Sequence, residues 1–228
     1  MATPDHPSPE LSEEASKGKG VPSTNYAELL EQAKQVETFG SMEIQFGPDS
    51  RRIEFETDPD TDEPLAVGYE NVTITGLWHL SDSELPGFTD EKKSDFGAYG
   101  GGTYVGFGDP KQHGDRVKQL ESDQHFRHNI TFSGSLVLVP YRSQVLASCI
   151  VGEHAESGGY VPDPNGSATP GKRIGQALAH PVDGVMYDGY LFWGETRPGS
   201  GLRGEGVILN PEATLTIDDV EAVNPRQS

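Results

Sequence analysis

After Gly40 the apolar residues of this chain recur at every second position in short runs, and turn-forming residues separate one run from the next. In NVTITGLWHL, Val72, Ile74 and Trp78 share one face of an extended chain while Thr73, Thr75 and His79 share the other, the pattern of a half-buried strand. HNITFSGSLVLVPY repeats it, with Ile130, Phe132, Leu136 and Leu138 directed inward. MEIQF and RRIEFE flank the turn GPDS and read as a hairpin. QVLASCIV follows a turn at Pro140–Ser143, and TYVGF, RIGQALA, VMYDGYLFWG, GVILN and ATLTI complete the series, giving about nine or ten strands. The 228 residues include 28 Gly and 17 Pro, enough to turn the chain between that many strands. The expectation is an all-β domain over 40–217, an antiparallel single barrel or sandwich. Two irregular stretches, 80–125 and 152–172, are expected to be long surface excursions, and 218–228 a C-terminal tail. No repeat of fixed period is present, which excludes propellers and solenoids.

The N-terminal part reads differently. Residues 1–23 mix Pro, Ser, Lys and Glu with almost no apolar content and are expected to form a flexible arm. They contain no apolar stretch, so neither a secretory signal nor a membrane anchor is expected. Over 24–39, Asn25 and Glu28 have capping-box spacing, Leu29, Leu30, Ala33 and Val36 recur at helical period, and Gly40 stands at the usual stop. This is the one amphipathic helix the pattern predicts. It is either a strap on its own domain or a contact element for a neighbouring subunit, and Asn25, Tyr26, Leu29, Leu30, Ala33 and Val36 are the interface candidates.

Charge limits the partners. Lys and Arg number 17 against 36 Asp and Glu, a net charge of −19, and the sequence pI is about 4.6. Tracking nucleic-acid phosphates needs the opposite sign, as does electrostatic attachment to an anionic membrane. The acids are scattered rather than clustered, forming an acidic skin. At ~1 M salt the Debye length falls to ~3 Å and self-repulsion is screened, so the chain reads as built for high salt. The single cysteine, Cys149, permits no internal disulfide and no cysteine zinc site. Its apolar surroundings suggest a buried, inert thiol, with an intermolecular bridge as the alternative.

The search for chemistry yields fragments. Asp123, His125 and His128 lie close in sequence, but the odd spacing of the two histidines would put them on opposite faces of a strand. Glu153 and His154 do not complete a cupin ligand set. Asp58, Asp60 and Asp62 begin like a calcium loop, yet Glu63 and Tyr69 occupy the positions that need Gly and Glu. The glycines of YGGGTYVGFGDP are not followed by the Lys and hydroxyl of a phosphate loop. Ser133 and Ser135 lack nucleophile-elbow spacing. The sequons at Asn71, Asn129 and Asn165 are discounted, because two of them open strands where Thr is expected anyway and no secretory signal is expected. Trp78, Tyr187, Tyr190 and Trp193 would suit a carbohydrate-stacking platform only if exposed, and aromatics on alternating strands belong more often to a core. No catalytic residue, metal ligand set or cofactor site is expected.

In its layout, and in ITFSGSLVLVPYRSQVLASCIV and VDGVMYDGYLFWGE, the sequence resembles the major capsid proteins of icosahedral internal-membrane viruses of halophilic archaea, and by length the larger of their two. The resemblance implies a single jelly roll standing upright in a virion shell. It also implies assembly in the host cytoplasm, in high salt, into pseudo-hexameric capsomers with further copies and a second, smaller capsid protein. The shell would lie over a viral membrane layer, without direct contact to nucleic acid. GKRIGQALAHPVDG resembles, more faintly, the small β-barrel decoration proteins of tailed-virus heads. A capsid decoration protein and a halophilic β-sandwich carbohydrate-binding module are the alternative readings.

Overall fold

A computed structural model describes residues 36–90, 94–97, 100–110, 126–156, 168–195, 199 and 201–223. The predicted arm, the helix over 24–35 and the candidates Asn25, Tyr26, Leu29, Leu30 and Ala33 lie outside these residues.

The end of the predicted helix is a strand. Val36–Phe39 (β1) pairs antiparallel with Met42–Glu54 (β2), and Phe39 faces Met42 across a turn at Gly40 and Ser41. Gly40 sits at φ +62°, so the glycine read as a helix stop makes a hairpin turn instead. A short hairpin with two-residue strands follows, Thr57–Asp58 (β3) against Glu63–Pro64 (β4).

Two 15-residue strands organise the rest, Val67–Ser81 (β5) and Phe126–Pro140 (β8), paired antiparallel along their length. Each changes its second partner midway. Along its other edge β5 pairs with β2 over 67–75 and then with Gly100–Phe107 (β7) at Leu77 and Trp78. Likewise β8 pairs with Leu215–Ala222 (β11) over 126–132 and with Gly189–Gly194 (β9) over 136–140. The strand Arg203–Ile208 (β10) joins β7 to β9, so β5, β7, β10, β9 and β8 close a five-stranded barrel. Ser94–Gly97 (β6) pairs with β7 outside this ring. Strands that leave one sheet and enter another are how such corners are made. Gly76, at φ +77°, is the corner of β5, and a Cβ there would stand 1.9 Å from the Ser41 carbonyl oxygen.

The antiparallel expectation fails at one place, because β8 and β9 run parallel. Parallel neighbours need a long crossover, and it contains two helices, Gln144–His154 (α1) and Pro170–Ala177 (α2). QVLASCIV and RIGQALA, predicted as strands, are therefore helical. Thr169 caps α2, its side-chain oxygen accepting from the Lys172 backbone N–H, and Pro170 opens the first turn. The excursion expected over 152–172 includes the end of α1 and the start of α2, and that over 80–125 includes β6 and β7. A short helix, Pro211–Thr214 (α3), precedes β11, which runs to Ala222 through the start of the predicted tail.

Two apolar clusters result. Ile44, Ile74, Phe107, Phe132, Leu138 and Leu191 belong to the cluster inside the barrel. Val139, Ile150, Ile174, Tyr190, Phe192 and Val207 belong to the one between the outer wall and the helices.

Candidate functional site

The kink at Gly76 decides what the end of the barrel presents. The β5–β8 register shifts between Ile74 and Leu77, so Leu77, rather than Trp78, joins the interior cluster. Trp78 lies against Gly106, where a Cβ would meet its ring at 2.5 Å, and its Nε1–H donates to the Gly108 carbonyl at 2.8 Å. Counting on by two from Leu77 and back by two from its partner Ile130 places His79 and His128 on the interior side. They face each other as cross-strand partners. Their ring centroids are 6.1 Å apart, with planes inclined at 34°.

Hydrogen bonds fix both tautomers. His79 Nδ1 lies 2.7 Å from the Tyr104 carbonyl oxygen; a carbonyl only accepts, so Nδ1 carries the proton and Nε2 is bare. Ser81 Oγ donates its hydrogen to the Ser83 carbonyl at 2.6 Å and lies 2.8 Å from His128 Nε2. That hydroxyl proton is spent, so His128 Nε2–H donates to Ser81 and His128 Nδ1 is bare. His128 is fully buried, and its Nδ1 has no hydrogen-bond partner. Burial pushes both imidazoles below the ordinary histidine value. For His79 the Tyr104 bond opposes that shift and the neighbouring His128 reinforces it. For His128 the Ser83 backbone and the Glu84 carboxylate oppose it. The Phe88 ring packs edge-on against His79 with centroids 5.4 Å apart.

A second polar feature forms where irregularities in β2 and β5 coincide. The β2–β5 register shifts between Phe46 and Arg51, and the β5–β8 register between Tyr69 and Val72. Pro48, Asp49, Ser50, Arg51, Glu70 and Asn71 line an open cavity of about 340 Å³ there. Its hydrogen bonds serve the backbone: Ser50 Oγ accepts from the Gly47 N–H at 2.7 Å and donates to the Asn71 carbonyl at 2.5 Å. Asn71, held at φ +52°, donates through Nδ2 to the Asp49 carbonyl at 3.3 Å. Ser135 Oγ accepts from the Asn71 N–H at 3.2 Å. The polar side chains of this turn largely fasten three strands together.

Other sequence candidates are dispersed. Val36 is on the edge strand β1 and 50 % exposed. Asp123 and His125 lie outside the described residues. Asp58 Oδ1 accepts from the Asp60 N–H at 2.9 Å, a bond that closes an acidic turn. His154 meets Asp183 at 2.9 Å and ties α1 to the loop before β9. Cys149 is half-buried on α1. Tyr187 and Tyr190 are buried in the outer cluster, while Trp193 packs edge-on against Phe39 with centroids 4.9 Å apart. The four aromatics present no shared exposed platform. Among the described residues no group of three or more His, Cys, Asp or Glu converges to hold a metal ion, and no helix is long and apolar enough to cross a membrane.

Sequence reasoning sought a partner for His128 at His125 and missed His79. The signal was weak, because the two residues lie far apart in sequence and meet only through strand register. Comparison with protein-family models, curated protein sequences and solved structures finds no match to this chain.

Proposed function

We propose that this chain is a structural shell subunit, a virion capsid protein that associates side by side with its own copies and with a smaller capsid protein in high salt. The observation that carries the reading is a set of exposed apolar side chains on a strongly acidic molecule. Val145 is 62 % exposed, Met186 56 %, Val36 50 % and Leu146 49 %, against a net charge of −19. In dilute salt the charge keeps such molecules apart, whereas concentrated salt screens it and leaves apolar contact as the dominant force. Val36 also lies on β1, which among the described residues stands at one end of the strand order with β2 as its partner, and a sheet edge is a template for association.

The resemblance supplies the finer statement, a single upright jelly roll. The closed barrel supports the barrel part of it. The parallel β8–β9 pair departs from an antiparallel jelly roll. Size-exclusion chromatography with light scattering in ~3 M NaCl tests the association. The wild-type chain is expected to elute as discrete oligomers, and Val36→Asp or the pair Val145→Asp and Leu146→Asp to shift them toward monomer. A wild-type monomer at every concentration, or oligomers indifferent to all three changes, would overturn the proposal.

A further inference from the structure

We propose that His79 and His128 form a two-imidazole site for a divalent transition-metal cation of the zinc, copper or nickel class, with water completing the coordination. The argument starts from the orphan nitrogen. A buried ring nitrogen without a partner is uncommon and calls for an occupant, either water or an ion. His128 Nδ1 is such an atom. Opposite it stands a second imidazole, His79, whose own N–H is spent on the Tyr104 carbonyl.

Metal-binding histidines are recognised by this arrangement, in which one ring nitrogen donates to a carbonyl or hydroxyl and the other is left bare. Here the donors' partners are the Tyr104 carbonyl and the Ser81 hydroxyl. An ion sits about 2.0–2.1 Å from each imidazole nitrogen, and two rings sharing one ion then have centroids roughly 5–6 Å apart. The observed 6.1 Å stands just beyond that range, so seating an ion draws the two rings slightly together. Burial keeps both rings neutral near neutral pH, so an ion displaces no proton from them. Neutral imidazoles suit zinc, copper and nickel, whereas calcium and magnesium take oxygen ligands. The ion would also staple β5 to β8, the two strands whose pairing closes the barrel. It is separate from the surfaces invoked for assembly, so either proposal stands if the other falls.

The test uses the full chain in chloride-free buffer at about pH 7.5, where free histidine is neutral, with copper(II) as the probe. The expected results are one ion per chain, an electron paramagnetic resonance spectrum carrying splitting from two imidazole nitrogens, and a higher Tm in the presence of zinc. His128→Gln alters a buried side chain and can unfold the protein, so the half-buried His79→Gln carries the decision. It is expected to weaken binding at least tenfold and to remove the two-nitrogen splitting, while His154→Gln leaves both unchanged. Undiminished binding in His79→Gln, or a wild-type spectrum showing one imidazole or none, would overturn the proposal.

Discussion

The barrel interior and the layer between its outer wall and the helices are built from similar residues but obey different rules. Strands that meet the interior cluster with one face, such as the start of β2, bury every second residue, and Met42, Ile44 and Phe46 alternate with exposed neighbours. In the outer layer β8 ends in six consecutive buried residues and β9 begins with four, because that wall has the barrel core on one side and α1 and α2 on the other. Strands covered on both faces lose their alternation. The continuous runs LVLVP and YLFW therefore announced that something must cover them, even though they did not say what.

Cutting one large side chain from each layer has the largest expected effect. Phe107→Ala, in the closed interior, is expected to cost about 3–5 kcal/mol, since the five strands around it cannot collapse into the space. Ile174→Ala, under the two-turn helix α2, is expected to fall near the low end of a range of about 2–5 kcal/mol, because a short surface helix can settle inward. Urea unfolding of both variants checks the order, and equal losses would mean that the helices are as rigidly held as the wall.

A local effect is expected at the corner of β5. Gly76→Ala forces a side chain onto a backbone at φ +77°, a conformational strain of order 1–3 kcal/mol, and its Cβ meets the Ser41 carbonyl oxygen, so the β1–β2 turn must also shift. Hydrogen exchange should accelerate first in the β1–β2 hairpin, where the clash lies. Uniform acceleration over the whole chain would place the strain elsewhere.

The smallest effect comes from the histidine pair. Burial holds both below 6.5, so an unfolded chain takes up these protons first as the pH falls. Their contribution is complete above about pH 6.5 and declines from there down to the depressed folded values. Carboxylate protonation relieves repulsion and acts in the opposite direction, so the isolating measurement is the difference in Tm between wild type and His79→Gln, in metal-free buffer, from about pH 8 to 5. The wild type should lose more Tm than the variant on acidification. Parallel curves would contradict the assigned protonation states.

How much was legible follows from the same contrast. Val72, Ile74, Ile130, Phe132, Leu136 and Leu138 were read as inward from alternation alone, and all belong to the barrel core. Alternation places Trp78 with Ile74, but a one-residue irregularity at Gly76 reverses every later face and leaves no trace in composition. Val36–Phe39 fits the end of a helical pattern by sequence and is a strand in the fold, since Gly40 serves equally as a helix stop and a hairpin turn. QVLASCIV reads as a strand because its Val and Ile content suits both states, and the need for a parallel crossover follows only from β8 and β9 being neighbours. The candidate site was the least legible part, for His79 and His128 are joined by register rather than by spacing.

The claim that most needs a direct test is salt-driven assembly. Sedimentation velocity of the full chain over a range of protein concentrations, at ~0.15 M and ~3 M NaCl, spans substantial and negligible screening distances. The account predicts discrete, concentration-dependent oligomers at high salt that dissociate at low salt. A compact monomer with the same sedimentation coefficient in both conditions would contradict it.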